Sequence, residues 1–277
     1  MRGDTGFPIR LRYSKRGKVR FVGHRDLARG FERAFRVVEL PLALTQGFSP
    51  RPKISLGLAL GVGHESDAEY LDVELRDPVD LDPLAAALDE ILPEGVSVDG
   101  VVPLAARAPA LQEAITSVEY ELRPTDVPAS DLEAAIDRAN TASTITITTT
   151  RKGREVIDDL RPGIRQLELH DDGSVHAEVA TKPRGIRPTE LLGALRDFAG
   201  ASDDVTADRV LRTSQWIERD GARHEPLAAD RAPRASSDAR VTNKGTPNDR
   251  RDHDSGLLRA HGVDDEHRAG ALDRRIA

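Results

Sequence analysis

The residue best placed for acid–base chemistry is a histidine near the start of the chain. His24 lies between a predicted strand and a predicted helix, where free backbone amides and the helix dipole favour an anion. The same position lowers the pKa of a histidine, so a neutral His24 could act as a general base on an RNA 2′-hydroxyl, with Tyr13, Lys15 or Lys18 nearby. The sequence shows no triad or metal-ligand spacing around it. A capping or hydrogen-bonded histidine is therefore the favoured alternative.

A proline-rich loop is the second candidate. Residues 46–53 combine Gly47, the aromatic Phe48, two prolines and the cations Arg51 and Lys53. This composition suits a rigid platform that stacks a base or grips a phosphate. The alternative is that the prolines only enforce an extended path while Phe48 fills the core. The sequence leaves both open.

Cations also surround Gly185, just before a predicted helix. Lys182, Arg184 and Arg187 precede a helix start near Thr189. Cations at a helix N-terminus suit a phosphate, and a solvated loop is the alternative.

The segment 57–66 is rich in glycine and resembles a phosphate cradle. It lacks the GxxxxGK[ST] order and does not open a clear helix, and acidic residues follow it. A strand end and a turn are the favoured interpretation.

Positive charge is concentrated in the amino-terminal segment. Residues 10–53 contain twelve Lys or Arg and three acidic residues, although the formal net charge of the chain is −7. One face is therefore predicted to attract polyanions. Its candidate RNA- or anion-binding residues are Arg12, Lys15, Lys18, Arg20, Arg25, Phe48, Arg51 and Lys53, joined by the cations near Gly185.

These residues must be positioned by a pattern of strands and helices that approximately repeats. The first round predicts a basic strand or hairpin over 9–21, a helix from Asp26, strands at 42–45, 54–60 and 70–75, a helix at 81–92 and a strand at 96–102. The second predicts strands at 117–122, 145–150, 166–169, 175–180 and 208–216, with helices at 131–140 and 189–198. We therefore expect an α+β fold of two ferredoxin-like β-α-β-β-α-β halves with antiparallel sheets, at residues 1–104 and 105–218.

Composition excludes several classes of protein. The chain has no cysteine, which excludes disulfides, thiolate zinc sites and cysteine-held iron–sulfur clusters, and we expect no metal or other cofactor. It shows neither a signal peptide nor an apolar run long enough for a membrane helix, so we expect a cytoplasmic protein. From residue 219 to 277 the sequence is polar and without apolar periodicity, which predicts a disordered tail.

The ordered part resembles a known family over most of residues 9–217. The segments FVGHRDLARGFERAF and LPLALTQGFSPRPKISLGLALGVGHESDAEYLDVEL, followed by GREVIDDLRPGI, GIRPTELLGAL and LRTSQW, are similar to a radical SAM-associated family. That family also occurs as the carboxyl-terminal domain of certain cobalamin-binding radical-SAM proteins. Its activity is not established. In some bacteria its members are encoded near ribonuclease E/G-type or ribosomal protein genes, so the resemblance implies a context of RNA or ribosome metabolism.

Three functions are compatible with these features. The first is an RNA-binding accessory factor that contacts tRNA or rRNA through the basic segment. The second is a protein-interaction or substrate-presenting module for a radical-SAM enzyme or a ribonuclease. The third is a metal-independent endoribonuclease that uses His24, which rests on an analogy of fold. We favour binding over catalysis.

Overall fold

The chain forms two successive rounds of strands and helices. A computed structural model describes residues 6–105, 107–125, 127–151, 153–200 and 206–232. The first round consists of β1 (Phe7–Lys15), α1 (His24–Val37), β2 (Ile54–Leu56), β3 (Glu65–Leu75), α2 (Leu84–Asp89) and β4 (Val96–Pro103). A short helix α3 (Leu111–Ala114) leads to β5 (Ser117–Pro124), α4 (Ala129–Thr141), β6 (Thr146–Arg151), β7 (Arg154–Asp159), β8 (Ile164–Leu169), β9 (Val175–Ala180), α5 (Pro188–Ala199) and β10 (Ala207–Arg219). The chain continues through β11 (Ala222–His224) and α6 (Pro226–Ala229).

The strand order confirms the predicted α+β fold class. In the first round β4, β1 and β3 are neighbours and β2 pairs with β3; in the second the order is β10, β5, β9, β8. Each round thus places its last strand beside its first, as a ferredoxin-like unit does. All pairs within the two units are antiparallel. The boundaries 1–104 and 105–218 stay a prediction.

A short parallel pairing joins the two sheets. Leu211 of β10 lies opposite Glu65 of β3, and Arg212 lies opposite Ser66. Within the described residues this joint makes one nine-stranded sheet. Residues at the joint therefore belong to both halves.

Helix α1 follows its predicted apolar spacing. Leu27, Phe31, Ala34 and Phe35 are buried against the sheet, because residues three and four apart share one helix face. Each large apolar side chain buried in this way contributes about 1.5–3 kcal/mol. The helix starts at His24, two residues before the predicted start.

The segment after β1 is not the second arm of a hairpin. Residues Gly17–Phe21 form a 3₁₀ helix, with Gly17 at a φ of +68° that favours glycine. The Gly17 amide donates a hydrogen bond of 2.7 Å to the Glu65 carboxylate. This contact turns the chain away from the sheet, although Val19 stays buried as its apolar character suggests.

Two other predicted strands differ from the structure. Residues 42–45 form only isolated bridges, from Leu42 to Leu75 and from Leu44 to Pro52. Strand β6 pairs with β7 in a separate two-stranded sheet and adds nothing to the main one. The hairpin is an insertion between α4 and β8.

The predicted disordered tail begins too early. Residues 219–232 form β11 and α6, and Ala232 donates its amide to the Pro103 carbonyl. The cause is a buried ion pair between Arg10 and Asp230, at 3.0 Å, which a local reading of polar composition does not reveal. The rest of the predicted tail, 233–277, lies outside the described residues. No helix in the described ranges is long and apolar enough to cross a membrane.

Candidate functional site

Polar side chains form a row across the joint between the halves. Lys15 of β1 lies opposite Ser66 of β3, Ser66 lies opposite Arg212 of β10, and Arg212 lies opposite Tyr120 of β5. Lys15, Ser66 and Arg212 are each no more than 3% exposed. Buried charges in the middle of a sheet are costly unless they are paired, so their partners define the site.

Arg212 is held by a complete set of acceptors at its two terminal nitrogens. Nη1 donates to Glu69 Oε1 at 2.8 Å and to the Leu58 carbonyl at 3.0 Å. Nη2 donates to the Ala59 carbonyl at 3.0 Å and to the Tyr120 hydroxyl at 3.2 Å. Burial alone would lower the pKa of Arg212, but Glu69 and Tyr120 outweigh burial and raise it. The side chain therefore stays charged and fixes the segment before His64.

Lys15 connects β1 to the same segment. Its Nζ donates to the Arg20 carbonyl at 3.1 Å, and the amide of Gly63 donates to that carbonyl at 2.8 Å. Burial lowers the pKa of Lys15; Glu69 opposes this shift and Arg212 adds to it. One backbone oxygen thus accepts hydrogen bonds from both the Lys15 ammonium group and the turn at Gly63–His64.

Two histidines border this cluster. His24 is the first residue of α1, whose N-cap residue Gly23 makes no side-chain cap bond, and His64 packs so closely on Gly61 that a Cβ there would lie 2.8 Å from the imidazole. Neither ring has a hydrogen-bond partner within the described part of the chain. Gly23 and not His24 is the N-cap residue, so the expectation that His24 caps the helix is wrong.

The electrostatic surroundings of the two rings are shared. Burial lowers the pKa of His24; Glu69 acts against this, while Arg212 and Lys15 lower the pKa further. Burial also lowers the pKa of His64, with Arg212 and Lys15 acting in the same direction. Both imidazoles are therefore neutral at pH 7 and able to accept a proton.

A cleft of about 570 Å³ opens beside this cluster. Residues 58–62 and His64 of the first half line it together with residues 179–181 and 185–189 of the second, and Tyr120 and Arg212 contribute from the sheet. Arg187 lines it at the N-terminus of the twelve-residue helix α5. A volume of several hundred Å³ is typical of small-molecule sites.

The amino-terminal cations are only partly available for binding. Lys18 and Arg25 are exposed and have no ion pair within the described residues. Arg20 lies 3.9 Å from Glu65 and over the ring of the exposed Phe21, at 4.7 Å from its centroid. Arg12 donates to the Asp67 carbonyl at 3.1 Å.

The cations near Gly185 are also only partly available for binding. Lys182 donates to the Glu113 carbonyl, and Arg184 pairs with Asp158 at 3.1 Å and also with Glu190. Arg187 is exposed and has no ion pair among the described residues. The structure therefore leaves Arg187 as the available cation of this group.

The proline-rich loop lies outside the cleft lining. Thr45 and Arg51 pair through their backbones at 2.8 Å, and Lys53 pairs with Glu74 at 2.9 Å. These contacts place the loop beside Glu74 of β3. The amide of Gly57, next to the cleft-lining Leu58, donates to the Tyr70 carbonyl, so four residues of β3 separate the two points, about 13 Å at the usual rise of a strand. Phe48 is fully exposed, so the idea that it fills the core is wrong.

Sequence reasoning did not find His64, Glu69, Tyr120 or Arg212 as site residues. A usable signal was present for Arg212, because it follows the buried apolar pair Val210 and Leu211 in a predicted strand. The described residues contain no group of three or more His, Asp or Glu side chains arranged to hold a metal ion.

Two solved structures show partial overlap with this fold. A chain in the crystal structure of a Cbf5–Nop10–Gar1 complex has a TM-score of 0.44 and 10% sequence identity over 76% of this chain. A chain in the crystal structure of the archaeal box H/ACA sRNP Nop10–Cbf5 complex has a TM-score of 0.40 and 11% identity over 82% of this chain. This chain spans half the length of each of them.

The sequence itself gives a more direct assignment. No curated protein matches it. A family model described as "Uncharacterized protein conserved in bacteria (DUF2344)" matches residues 8–188, and the chain belongs to that family.

Proposed function

We propose that this protein is a cytoplasmic RNA-binding accessory factor in RNA or ribosome metabolism, and that it holds RNA phosphates at the cleft. The observation that carries the proposal is an exposed cation in the cleft lining, Arg187, together with exposed cations on the segment that is bonded to the neighbouring turn at Gly63. Arg187 comes from the second half, and Lys18 and Arg25 come from the segment whose Arg20 carbonyl holds the cleft-lining turn.

The chemistry of the cleft suits a phosphate backbone. Exposed Lys and Arg side chains bind phosphates by charge and do not need a particular base sequence. The exposed Phe21 lies beside Arg20, next to the cleft-lining turn at Gly63, and offers a ring on which a base can stack. Residues 10–53 contain twelve Lys or Arg against three acidic residues, so the excess of negative charge in the chain comes from the rest of the sequence.

Fluorescence anisotropy with labelled tRNA and rRNA fragments tests the proposal. We expect a Lys18→Ala/Arg25→Ala/Arg187→Ala variant to bind about 100-fold more weakly or worse, because each of the three charge-assisted phosphate contacts contributes roughly 1 kcal/mol or more. The control removes three exposed cations that belong neither to the cleft lining nor to the segment 17–25, through Arg33→Ala/Arg76→Ala/Arg138→Ala. Equal affinity in the two triple variants, or no binding by the wild type at low salt, would reject the proposal.

A second candidate function is docking to a protein partner. The loop 44–52 exposes two apolar side chains, Leu44 at 51% and Phe48 completely. Such a surface suits a radical-SAM enzyme or a ribonuclease E/G-type protein, the partners that the family resemblance implies, through an interface of about 1,000 Å² or more. Co-purification of that partner with wild type but not with Phe48→Ser supports this candidate.

A third candidate is metal-independent cleavage of RNA. The neutral, unbonded ring of His24 is the feature that favours it, since a general base must be able to accept a proton from the 2′-hydroxyl. Cleavage that disappears in His24→Ala while RNA binding persists supports it. A wild type that never cuts RNA removes it.

A further inference from the structure

The two histidines, the lysine and the cleft form one arrangement whose role backbone binding does not explain. The Arg20 carbonyl accepts from Lys15 Nζ and from the Gly63 amide, so the ammonium group and the His64 turn are tied to one atom, four residues before α1 starts at His24. His64 lines the cleft. Within the described residues, neither imidazole has a partner that fixes its tautomer.

The fixed charges of the cluster are unbalanced. Lys15 and Arg212 carry two positive charges, and Glu69 is the carboxylate that acts on His24. Glu69 is already engaged by Arg212 at 2.8 Å. With both rings neutral the cluster keeps a net positive charge, and Arg187 adds another at the rim. A small anion of high charge is the complementary ligand.

We propose that His24 and His64, backed by Lys15, form a subsite for a phosphate monoester, and that binding is accompanied by uptake of a proton onto the imidazoles. The proposal rests on the proposed function, since it assigns this subsite to a terminal phosphate of the RNA. A monoester is favoured over a backbone diester because the dianion matches the unbalanced charge, and a protonated ring donates through its N–H groups to the phosphate oxygens.

The direction in which anion affinity changes with pH follows from the protonation state of the two histidines before the anion binds. The groups acting on His24 are Glu69, Arg212 and Lys15, and those acting on His64 are Arg212 and Lys15. Burial and the two cations lower the pKa of His64 from its ordinary value of 6.5, so the ring is neutral at pH 7. A bound dianion favours the protonated ring and raises its pKa. Affinity is therefore strongest at mildly acidic pH and is lost as the pH rises through the pKa of the bound state.

Histidine NMR titrations of the full chain test the subsite without RNA. The probes are inorganic phosphate and sulfate, and sulfate is included because it keeps both charges across the range. We expect both anions to raise the pKa of His24 and His64. The NMR signals of His170, an exposed histidine outside the cleft lining, are the control and should not change when either anion is added. Sulfate affinity should increase by about tenfold for each unit by which the pH falls and for each proton taken up. Unchanged titration curves for both histidines would overturn the proposal.

Variants and a second ligand separate the possible sources of the phosphate. His64→Gln should lose anion binding while its circular dichroism spectrum and melting temperature stay those of wild type. His170→Gln should change neither anion binding nor stability. If phosphate shifts the histidines but RNA does not bind, the subsite stands and the proposed function fails. Tighter binding of a 5′-phosphorylated oligonucleotide than of its 5′-hydroxyl form identifies an RNA end; equal binding contradicts that assignment.

Discussion

A single buried guanidinium organises the candidate site. Arg212 satisfies two carbonyls, one carboxylate and one hydroxyl, and thereby fixes the path of residues 58–60 along the cleft. Removing a charge from water costs several kcal/mol, which the protein recovers only when the full set of partners is present. The side chain is therefore part of the fold as much as of the site.

The stability of this pair can be measured. We expect Arg212→Met to lower the free energy of unfolding by about 3–5 kcal/mol, because Glu69 is left buried without its cation. Urea denaturation followed by circular dichroism measures the change. Arg123→Met is the control: Arg123 pairs with Asp172 at an exposed position, and its loss should cost no more than about 1 kcal/mol. Equal losses of unfolding free energy in the two variants would show that the Arg212–Glu69 pair does not contribute much to stability.

At the residue scale the sequence predicted part of the site. His24 and the amino-terminal cations were identifiable because they lie at a helix start and in a basic segment. The Arg212–Glu69 pair was not, because its members are 143 residues apart and meet only through the parallel joint. Long-range pairing of this kind leaves no local pattern.

At the scale of elements, polar residues explain most boundary errors. Strand β3 begins at Glu65, five residues before its predicted start at Tyr70, because Glu65, Ser66 and Glu69 are buried although they are polar. Their cationic partners come from other strands, as Glu65 with Arg209 at 2.9 Å shows. Periodicity of apolar residues cannot report a strand end that is stabilised by ion pairs.

The proline-rich loop is an element whose position decides its role. We expect Phe48→Ala to leave stability within about 0.5 kcal/mol, because the ring is fully exposed. Affinity for an RNA long enough to reach from the cleft to the loop should fall by about 1–3 kcal/mol through loss of one stacked base. Affinity for a short oligonucleotide held at the cleft should not change. Anisotropy with both lengths measures the effect, and unchanged affinity for both would assign the loop to the protein-docking alternative.

At the scale of the whole molecule, residues 219–232 complete the first half. Arg10 donates to the Pro226 carbonyl at 3.1 Å and to Asp230 at 3.0 Å, and the Tyr70 hydroxyl donates to Glu225 at 2.6 Å. These contacts cross more than 150 residues of sequence. The ferredoxin-like repeat was predictable from the order of elements, but this closing segment was not, because its composition is that of a polar tail.

Two truncations test that closing role. We expect a chain ending at residue 218 to unfold with a free energy at least about 2 kcal/mol lower than one ending at residue 232, because the buried Arg10 loses two of its acceptors. Thermal and urea unfolding of both chains give the comparison. Equal stability would mean that β11 and α6 add nothing to the fold.

The salt dependence of RNA binding tests the central claim most directly. If Lys18, Arg25 and Arg187 hold phosphates, the logarithm of affinity falls steeply and linearly with the logarithm of salt concentration for the wild type. The Lys18→Ala/Arg25→Ala/Arg187→Ala variant should reduce that slope by about 3, one for each lost phosphate contact, and the Arg33→Ala/Arg76→Ala/Arg138→Ala variant should keep it. Identical slopes in the two variants would contradict phosphate binding at the cleft.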